Sequence, residues 1–306
     1  MHDVNGFLIL DKMRGCTSHD CVNKIRKLFQ TKKVGHSGTL DPQVDGVLPI
    51  AIGKATRFIK YLSQEKTYVG TIKLGIKTLT DDIHGKIIRE KDWPILSHNE
   101  LDEYLNNFRG TFNQIPPKVS SVHIDGERAY KKILKNEEFE LEAKEVSIKK
   151  LILQNWDQVN GQIDLLITCS PGTYIRAIAR DLGIALNSEG CLLKLRRVKS
   201  SGFDQSSSYT FADLEEAGKN IFKFIIPISN ALHHIPRITL KNNDDILFWQ
   251  TGRRILLEKN ILISNNTSES NKIFQVLDSN YKLIGMGEIS LDHSEYLQPK
   301  LVLNPR

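Results

Sequence analysis

The fifteen residues from Gly35 to Pro49 hold three glycines, two prolines, His36, the hydroxyls of Ser37 and Thr39, and the carboxylates of Asp41 and Asp45. That density of glycine and proline excludes a regular helix or a central strand, so the stretch reads as a shaped loop that presents polar side chains. Asp41-Pro42 by itself is a common turn pair. The GxxxxGK[ST] pattern of a phosphate-cradling loop is absent. His36, Ser37 and Asp41 crowd one loop without a nucleophile elbow, which argues against a hydrolytic triad. Asp41 and Asp45 are the loop's carboxylates. A free aspartate has a pKa near ~3.9 and is ionised at neutral pH, so it can attack an electrophile or stabilise developing charge.

Other blocks join this loop in a fixed order: Leu10-Asp11-Lys12; Lys66-Thr67-Tyr68 running to Leu74-Gly75; Thr78, Thr80, Asp82 and Gly85; Gln114-Ile115-Pro116-Pro117 followed by Gly126, Arg128, Ala129 and Tyr130; Cys169 to Gly183; and Leu195 to Phe203. With GHSGTLDP and GVLP they resemble the TruB-type tRNA pseudouridine synthases across nearly all of the first 205 residues. The resemblance implies isomerisation of the T-loop uridine at position 55 of tRNA to pseudouridine. That reaction breaks the C1′–N1 bond, turns the base and joins C1′ to C5. It needs no redox step, and neither metal nor cofactor is expected.

By the same resemblance Asp41 is the essential carboxylate, Tyr68 stacks on the target base and is suited to moving a proton, and Arg176 pairs with Asp41. Leu195 packs against the flipped uridine, Tyr174 and His36 contact the displaced nucleotides, and Lys12 and Asp82 lie near the entrance and the RNA. Arg197 and Asp181 support the site. Read without it, Tyr68 and Leu195 are ordinary core residues and Arg176 a surface charge. A uridine in a folded loop must leave its stack to be reached, at a cost of a few kcal/mol, which is the work assigned to His36. Two departures stand out: Met13 replaces the proline usual after the lysine, and Val119, Ser121 and His123 replace an aromatic, alanine and lysine in the segment expected to clamp RNA.

The elements that must position these residues follow from apolar spacing. Phe7 to Leu10 reads as a buried strand. Thr17 or Ser18 caps a helix with Val22, Ile25 and Phe29 inward and Lys24, Arg26 and Lys27 outward. Tyr68 to Leu74 alternates as a strand. Ser97 and Glu100 form a capping box for a helix with Leu101, Leu105 and Phe108 inward, closed by Gly110. Ile163 to Thr168 is a strand, and Thr173 to Leu186 a helix after the Ser170-Pro171-Gly172 break. Tyr174 and Arg176, two apart, share a face only if that helix starts irregularly. After a linker at Ile235-Pro236-Arg237, short strands at Ile261 to Ser264, Ile273 to Leu277 and Lys282 to Met286 suggest a small all-β module. The expected fold is α+β, with a catalytic domain on a mixed, mainly antiparallel sheet over residues 1–233. A small β-rich module, resembling the PUA-like RNA-binding domain, is expected over residues 234–306.

Apolar residues at 40% and charged residues at 25% fit a globular core, and the net charge of +6 favours a polyanionic partner. Basic stretches at Lys24 to Lys33, Arg128 to Lys135 and Lys194 to Lys199 are solvated faces by default, and on one fold would track the phosphates of a tRNA T-arm. Cys16, Cys21, Cys169 and Cys191 form no CxxC pair or zinc-spaced cluster and read as reduced, mostly buried thiols. No stretch approaches the ~20 apolar residues of a membrane span, and the N-terminal apolar run is too short for a signal. A cytoplasmic monomer acting on tRNA without an obligate protein partner is expected. The rivals are a non-catalytic RNA chaperone, which does not need Asp41, Tyr68 and Arg176 together, and a guide-directed synthase acting on another RNA.

Overall fold

The run Gly6-Phe7-Leu8-Ile9-Leu10 offers no polar face, so a strand built from it must be covered on both sides. In the computed structural model, which describes residues 4–124, 126–135, 137–257, 272–289 and 295–306, it is. Strand β1 (Gly6–Lys12) turns Leu8 and Leu10 toward the main core, with Val22 and Ile25 of helix α1 (Ser18–Leu28), and Phe7 toward a second cluster on the opposite face. Its free edge is closed by backbone hydrogen bonds to Tyr209 and Ile226, which prevents pairing with another chain.

The chain continues through β2 (Val34–His36), β3 (Asp45–Ile52), a 3-10 segment Gly53–Tyr61 and β4 (Lys66–Leu74). The hairpin β5 (Ile76–Thr78) and β6 (Ile87–Glu90) leads to α2 (His98–Leu105) and β7 (Gly110–Gln114). A short hairpin, β8 (His123–Ile124) and β9 (Glu127–Arg128), precedes α3 (Ala129–Leu134) and the long β10 (Lys144–Asp157). Then come β11 (Gln162–Cys169), α4 (Ile175–Ala185), β12 (Gly190–Ser200), β13 (Phe203–Asp204), α5 (Phe211–Ala217) and α6 (Ile228–Ala231). One nine-stranded sheet takes the order β1-β3-β12-β4-β11-β10-β7, with β2 on β3 and β13 on β12. Every pairing in it is antiparallel except β3 with β12. The expected mixed, mainly antiparallel architecture is therefore present.

The parallel pair is short, Arg196 opposite Asp45 and Arg197 opposite Gly46, and it is tight. Gly46 has φ +110, and a Cβ there would stand 2.2 Å from the Arg197 carbonyl oxygen, so only glycine fits.

Helix starts follow the capping residues. Thr17, not Ser18, caps α1, in a reciprocal box with Asp20. Ser97 and Glu100 do the same for α2. That helix ends in a 3-10 turn, Asn106–Phe108, and Gly110 (φ +81) opens β7 instead of closing the helix. Ser97→Ala removes that cap and should cost about 1 kcal/mol of stability, as chemical denaturation would show.

Beyond residue 236 lie β14 (Arg237–Thr239), α7 (Asn243–Gln250), β15 (Ile255–Leu256), β16 (Lys272–Leu277), β17 (Leu283–Ile289) and β18 (Tyr296–Val302). Their sheet runs β14-β16-β17-β18-β15. The module is not all-β: α7 is capped by the Asn242 side chain and buries Trp249 completely against Gly285 and Gly287. Arg237, read as linker, begins a strand. The strand expected at Ile261 to Ser264 lies outside the described residues. Phe58 and Leu62 share an apolar cluster with Leu277, Met286 and Leu301, and Arg57 donates to the Val302 carbonyl at 3.0 Å.

Candidate functional site

The loop between β2 and β3 is held by hydrogen bonds to its carbonyls from Gly38 to Pro42. Ser18 Oγ accepts from Leu40 N–H at 2.9 Å and donates to Leu40 O at 3.2 Å. Lys12 Nζ donates to the carbonyls of Cys16, Met13 and Pro42, and Gly15 N–H also reaches Pro42 O. From below, the Arg197 guanidinium donates through Nε to Val47 O at 2.7 Å and through Nη2 to Gly38 O at 3.1 Å. With Leu40 and Val44 buried on either side, the backbone is fixed while the Asp41 side chain keeps 48% of its surface exposed. The loop's other carboxylate, Asp45, is tied to Arg14 and Arg196, which leaves Asp41 as the one offered to a ligand.

Arg176 reaches Asp41 from α4. Its Nη2 lies 3.0 Å from Asp41 Oδ2, and its Nη1 donates to the carbonyls of Thr80 and Val119 at 3.0 and 3.1 Å. The same Nη1 is 3.8 Å from Asp82 Oδ2. Only 7% of the residue is exposed, so the guanidinium is a buried fork fixed on three sides. A cation in the first turn opposes the helix dipole, and these acceptors offset that. Helix α4 begins at Ile175, two residues later than the spacing suggests, because Tyr174 is extended (φ −100, ψ 109). The buried Gln114 amide holds it there, accepting from Tyr174 N–H at 2.8 Å and donating to Tyr174 O at 3.1 Å. This irregular start lets Tyr174 and Arg176 line one cavity.

That cavity, about 730 Å³, is lined by Asp41, Tyr68, Asp82, Tyr174, Arg176 and Leu195 among others. Six of the eight residues singled out from sequence therefore converge. Tyr68 is 7% exposed; burial pushes the phenol up from its ordinary value, and the nearby Arg197 charge opposes that. Asp82 Oδ1 accepts from the Thr80 hydroxyl and His84 N–H.

Two residues stand elsewhere. Lys12, expected at the RNA, is fully buried and spends its ammonium on Met13 O and Cys16 O of the β1–α1 turn and Pro42 O of the loop, tying the two together; desolvation lowers its pKa. It is a support for the loop, since sequence spacing does not show which acceptors a lysine meets. His36 ends β2 outside the cavity lining, with Nδ1 accepting from Gly38 N–H at 3.2 Å. Burial, then Arg197, lowers its pKa, so the ring is neutral at pH 7.

Arg197, given only a supporting role from sequence, is 0% exposed and has no carboxylate partner among the described residues. Arg197→Met leaves the Val47 and Gly38 carbonyls without their donor. It should cost roughly 3–5 kcal/mol, seen as a lower midpoint in urea unfolding. Asp181 pairs with Arg180, whose Nη1 also meets Asp81 at 3.1 Å, one layer behind Arg176. Gln114 and Arg14 were missed as site residues; Gln114 sits in a quoted block, but its partner is 60 positions away. Among the described residues, no group of His, Cys, Asp and Glu gathers as a metal site. The four thiols are free, and Cys16 and Cys21 lie with sulfurs 3.7 Å apart.

A family model described as TruB family pseudouridylate synthase (N terminal domain) matches residues 26–175. The chain is 56% identical, over the full length of both, to the tRNA pseudouridine synthase B of Prochlorococcus marinus strain MIT 9301. It is 44% identical to that of strain NATL1A, over 98% of this chain and 98% of the relative. Among solved structures, a chain from the crystal structure of a Cbf5-Nop10-Gar1 complex superposes with a TM-score of 0.73 at 22% identity, covering 98% of this chain and 85% of that one. At that identity the likeness speaks for the fold.

Proposed function

Because the chain belongs to the TruB family of pseudouridylate synthases, we propose that it isomerises the uridine at position 55 in the T-loop of tRNA, with Asp41 as the catalytic carboxylate. The enzyme class and the tRNA substrate come with the family and its relatives; the position and the residue roles are our reading. One observation carries it: a half-exposed carboxylate, on a loop anchored from three directions, ion-paired at 3.0 Å with a buried guanidinium and facing a cavity that Tyr68 and Leu195 also line.

The cavity accepts the base only after it has left its stack. Tyr68 supplies an aromatic face and Leu195 an apolar wall, which hold the ring while the C1′–N1 bond breaks and the base turns. Arg176 keeps the Asp41 carboxylate aimed at the nucleotide, so orientation is settled before the substrate arrives. Whether Asp41 adds to the ring or acts at C1′, the charge it meets develops beside the fixed Arg176 guanidinium.

The T-arm lies across the cleft mouth, and exposed Lys194 on the cavity rim and the Lys24 to Lys33 face meet its phosphates. Part of that basic surface is already engaged, since Lys24 pairs with Glu215 and Lys135 with Glu127. The protein works as a cytoplasmic monomer without an obligate protein partner; among the described residues no helix is long and apolar enough to cross a membrane. The position is tested with an unmodified tRNA transcript and a copy carrying cytidine at position 55, each mapped by carbodiimide adducts and primer extension. One new stop at position 55, absent from the cytidine transcript, is the expected result. Stops elsewhere in both transcripts would overturn the assignment.

A further inference from the structure

Three arginines on or beneath the cavity wall are already committed: Arg14 to Asp45, Arg176 to Asp41, and Arg197 to loop carbonyls. Lys66 is not. It opens β4 two residues before Tyr68, so both side chains leave the strand on one face, and both line the cavity. The ammonium is folded inward against the catalytic loop: a Cβ on Gly38 would stand 3.1 Å from Lys66 Nζ and 3.2 Å from Cε. Among the described residues Nζ has neither a hydrogen-bond acceptor nor an ion-pair partner. Lys194 is the other free lysine on the wall, but it is exposed and keeps its water.

A half-buried ammonium without a partner is costly to maintain. Burial, then the nearby Arg197, lowers its pKa, and no carboxylate opposes them. Such a group fits a site whose anion arrives with the substrate. A flipped nucleotide carries two kinds of anionic oxygen. Its phosphates stay on the backbone at the cleft mouth, while its base enters the pocket. Lys66, beside Tyr68 and folded beneath the Asp41 loop, is placed for the base.

We propose that Lys66 is a catalytic residue whose ammonium meets a carbonyl oxygen of the flipped uracil and stabilises the negative charge that forms on the ring. The inference rests on the reading of this cavity as the uridine site. It holds for either route open to Asp41. If the carboxylate adds at C6, the C5–C6 π pair moves to make an enolate on O4. If the base is expelled from C1′, the C1′–N1 pair leaves with the ring, and the charge spreads over N1, O2 and O4. On the first route the C1′–N1 bond then breaks with its pair going to N1, and the C6–O bond to Asp41 breaks at the end, returning its pair to the carboxylate. On both, after the base turns, C5 bonds to C1′ with a pair from the ring, the C5 hydrogen leaves as a proton and N1 takes one up. The sum is an isomerisation, with no oxidant or co-reactant. Lys66 donates a hydrogen bond throughout and keeps its proton.

The test compares wild type, Lys66→Met and Lys66→Arg as full-length proteins, with enzyme in excess over an unmodified tRNA transcript. Single-turnover rate at saturating enzyme, tRNA Kd at several salt concentrations and thermal midpoint are measured. Lys66→Met should lose about 10²-fold in rate, the size of one lost oxyanion donor. Its Kd should stay within about 3-fold and its salt slope unchanged, while Lys66→Arg should recover part of the rate. Removing an unpaired buried charge should leave the midpoint at or above that of the wild type. An unchanged rate would overturn the proposal. So would a weaker Kd that explains the whole loss with a salt slope lower by about one, the mark of a phosphate contact. A fall in the midpoint would make Lys66 a structural prop and also overturn it. A wild type that forms no pseudouridine at position 55 would sink the functional reading itself, whereas a working wild type matched by Lys66→Met would sink this inference alone.

Discussion

Asp41→Asn is expected to lower pseudouridine formation by about 10⁴-fold or more, the scale seen when an essential nucleophile is removed, while tRNA binding and the thermal midpoint stay near those of the wild type. The structure gives both halves of that expectation. Asparagine has the same shape but neither the negative charge nor the nucleophilic oxygen. Nothing that holds the loop depends on the carboxylate: Ser18, Lys12, Gly15 and Arg197 all grip backbone carbonyls or N–H groups. Arg176 retains its bonds to Thr80 O and Val119 O, and an asparagine oxygen can still accept from Nη2. Rates from single turnovers, with Kd from filter binding, separate the two effects.

Arg176→Lys should be nearly as damaging to the reaction and more damaging to the fold. The guanidinium sends one nitrogen to Asp41 and another to two carbonyls on different loops. A lysine places a single ammonium at the end of a flexible stem and cannot hold all three in that geometry. With 7% of the arginine exposed, water cannot replace the lost donor. We expect a loss of about 10²–10³-fold in rate and a drop of roughly 2–3 kcal/mol in stability. Stopped or quenched single turnovers and urea unfolding read the two numbers. Full activity would mean that Asp41 needs no orienting partner.

Much of the site is legible before any coordinates because its local chemistry is extreme. Ser37 to Val44 is the shaped loop that Gly38 and Pro42 announce, but the loop is shorter than expected and a central strand is not excluded: Gly35 and His36 belong to β2, and Asp45 to Pro49 to β3, a central strand between β1 and β12. Thr17 and Ser97 do announce the helices they cap. What was not legible is long-range. The Lys12 ammonium meets Pro42 O across 30 positions of chain. Arg197 lies under the loop through the parallel register of β3 and β12, a pairing that alternation within each strand does not encode. The extended Tyr174 depends on Gln114. Helix α7 was hidden for a local reason: Asn242, Asn243, Asp244 and Asp245 suit a turn and a helix start equally, and only the burial of Trp249 decides.

The residues that line the cavity and those that we propose for the chemistry are thus supported by others that spacing alone could not assign. Lys12 and Arg197 serve the loop backbone, Gln114 serves the start of α4, and Arg180 ties the body of that helix to Asp81 and the Ile115 carbonyl. This arrangement predicts that damage to the supports appears first as lost stability, and damage to Asp41 only as lost turnover.

Tritium release from a tRNA transcript labelled at uridine C5, with wild type and Asp41→Asn side by side, tests the central claim most directly, because forming the C1′–C5 bond expels that hydrogen. The account predicts release of one equivalent per tRNA by the wild type and none above background by Asp41→Asn, at equal tRNA occupancy. Release by both would remove Asp41 from the chemistry, and release by neither, with tRNA tightly bound, would make the protein an RNA chaperone in which Asp41 only shapes a turn.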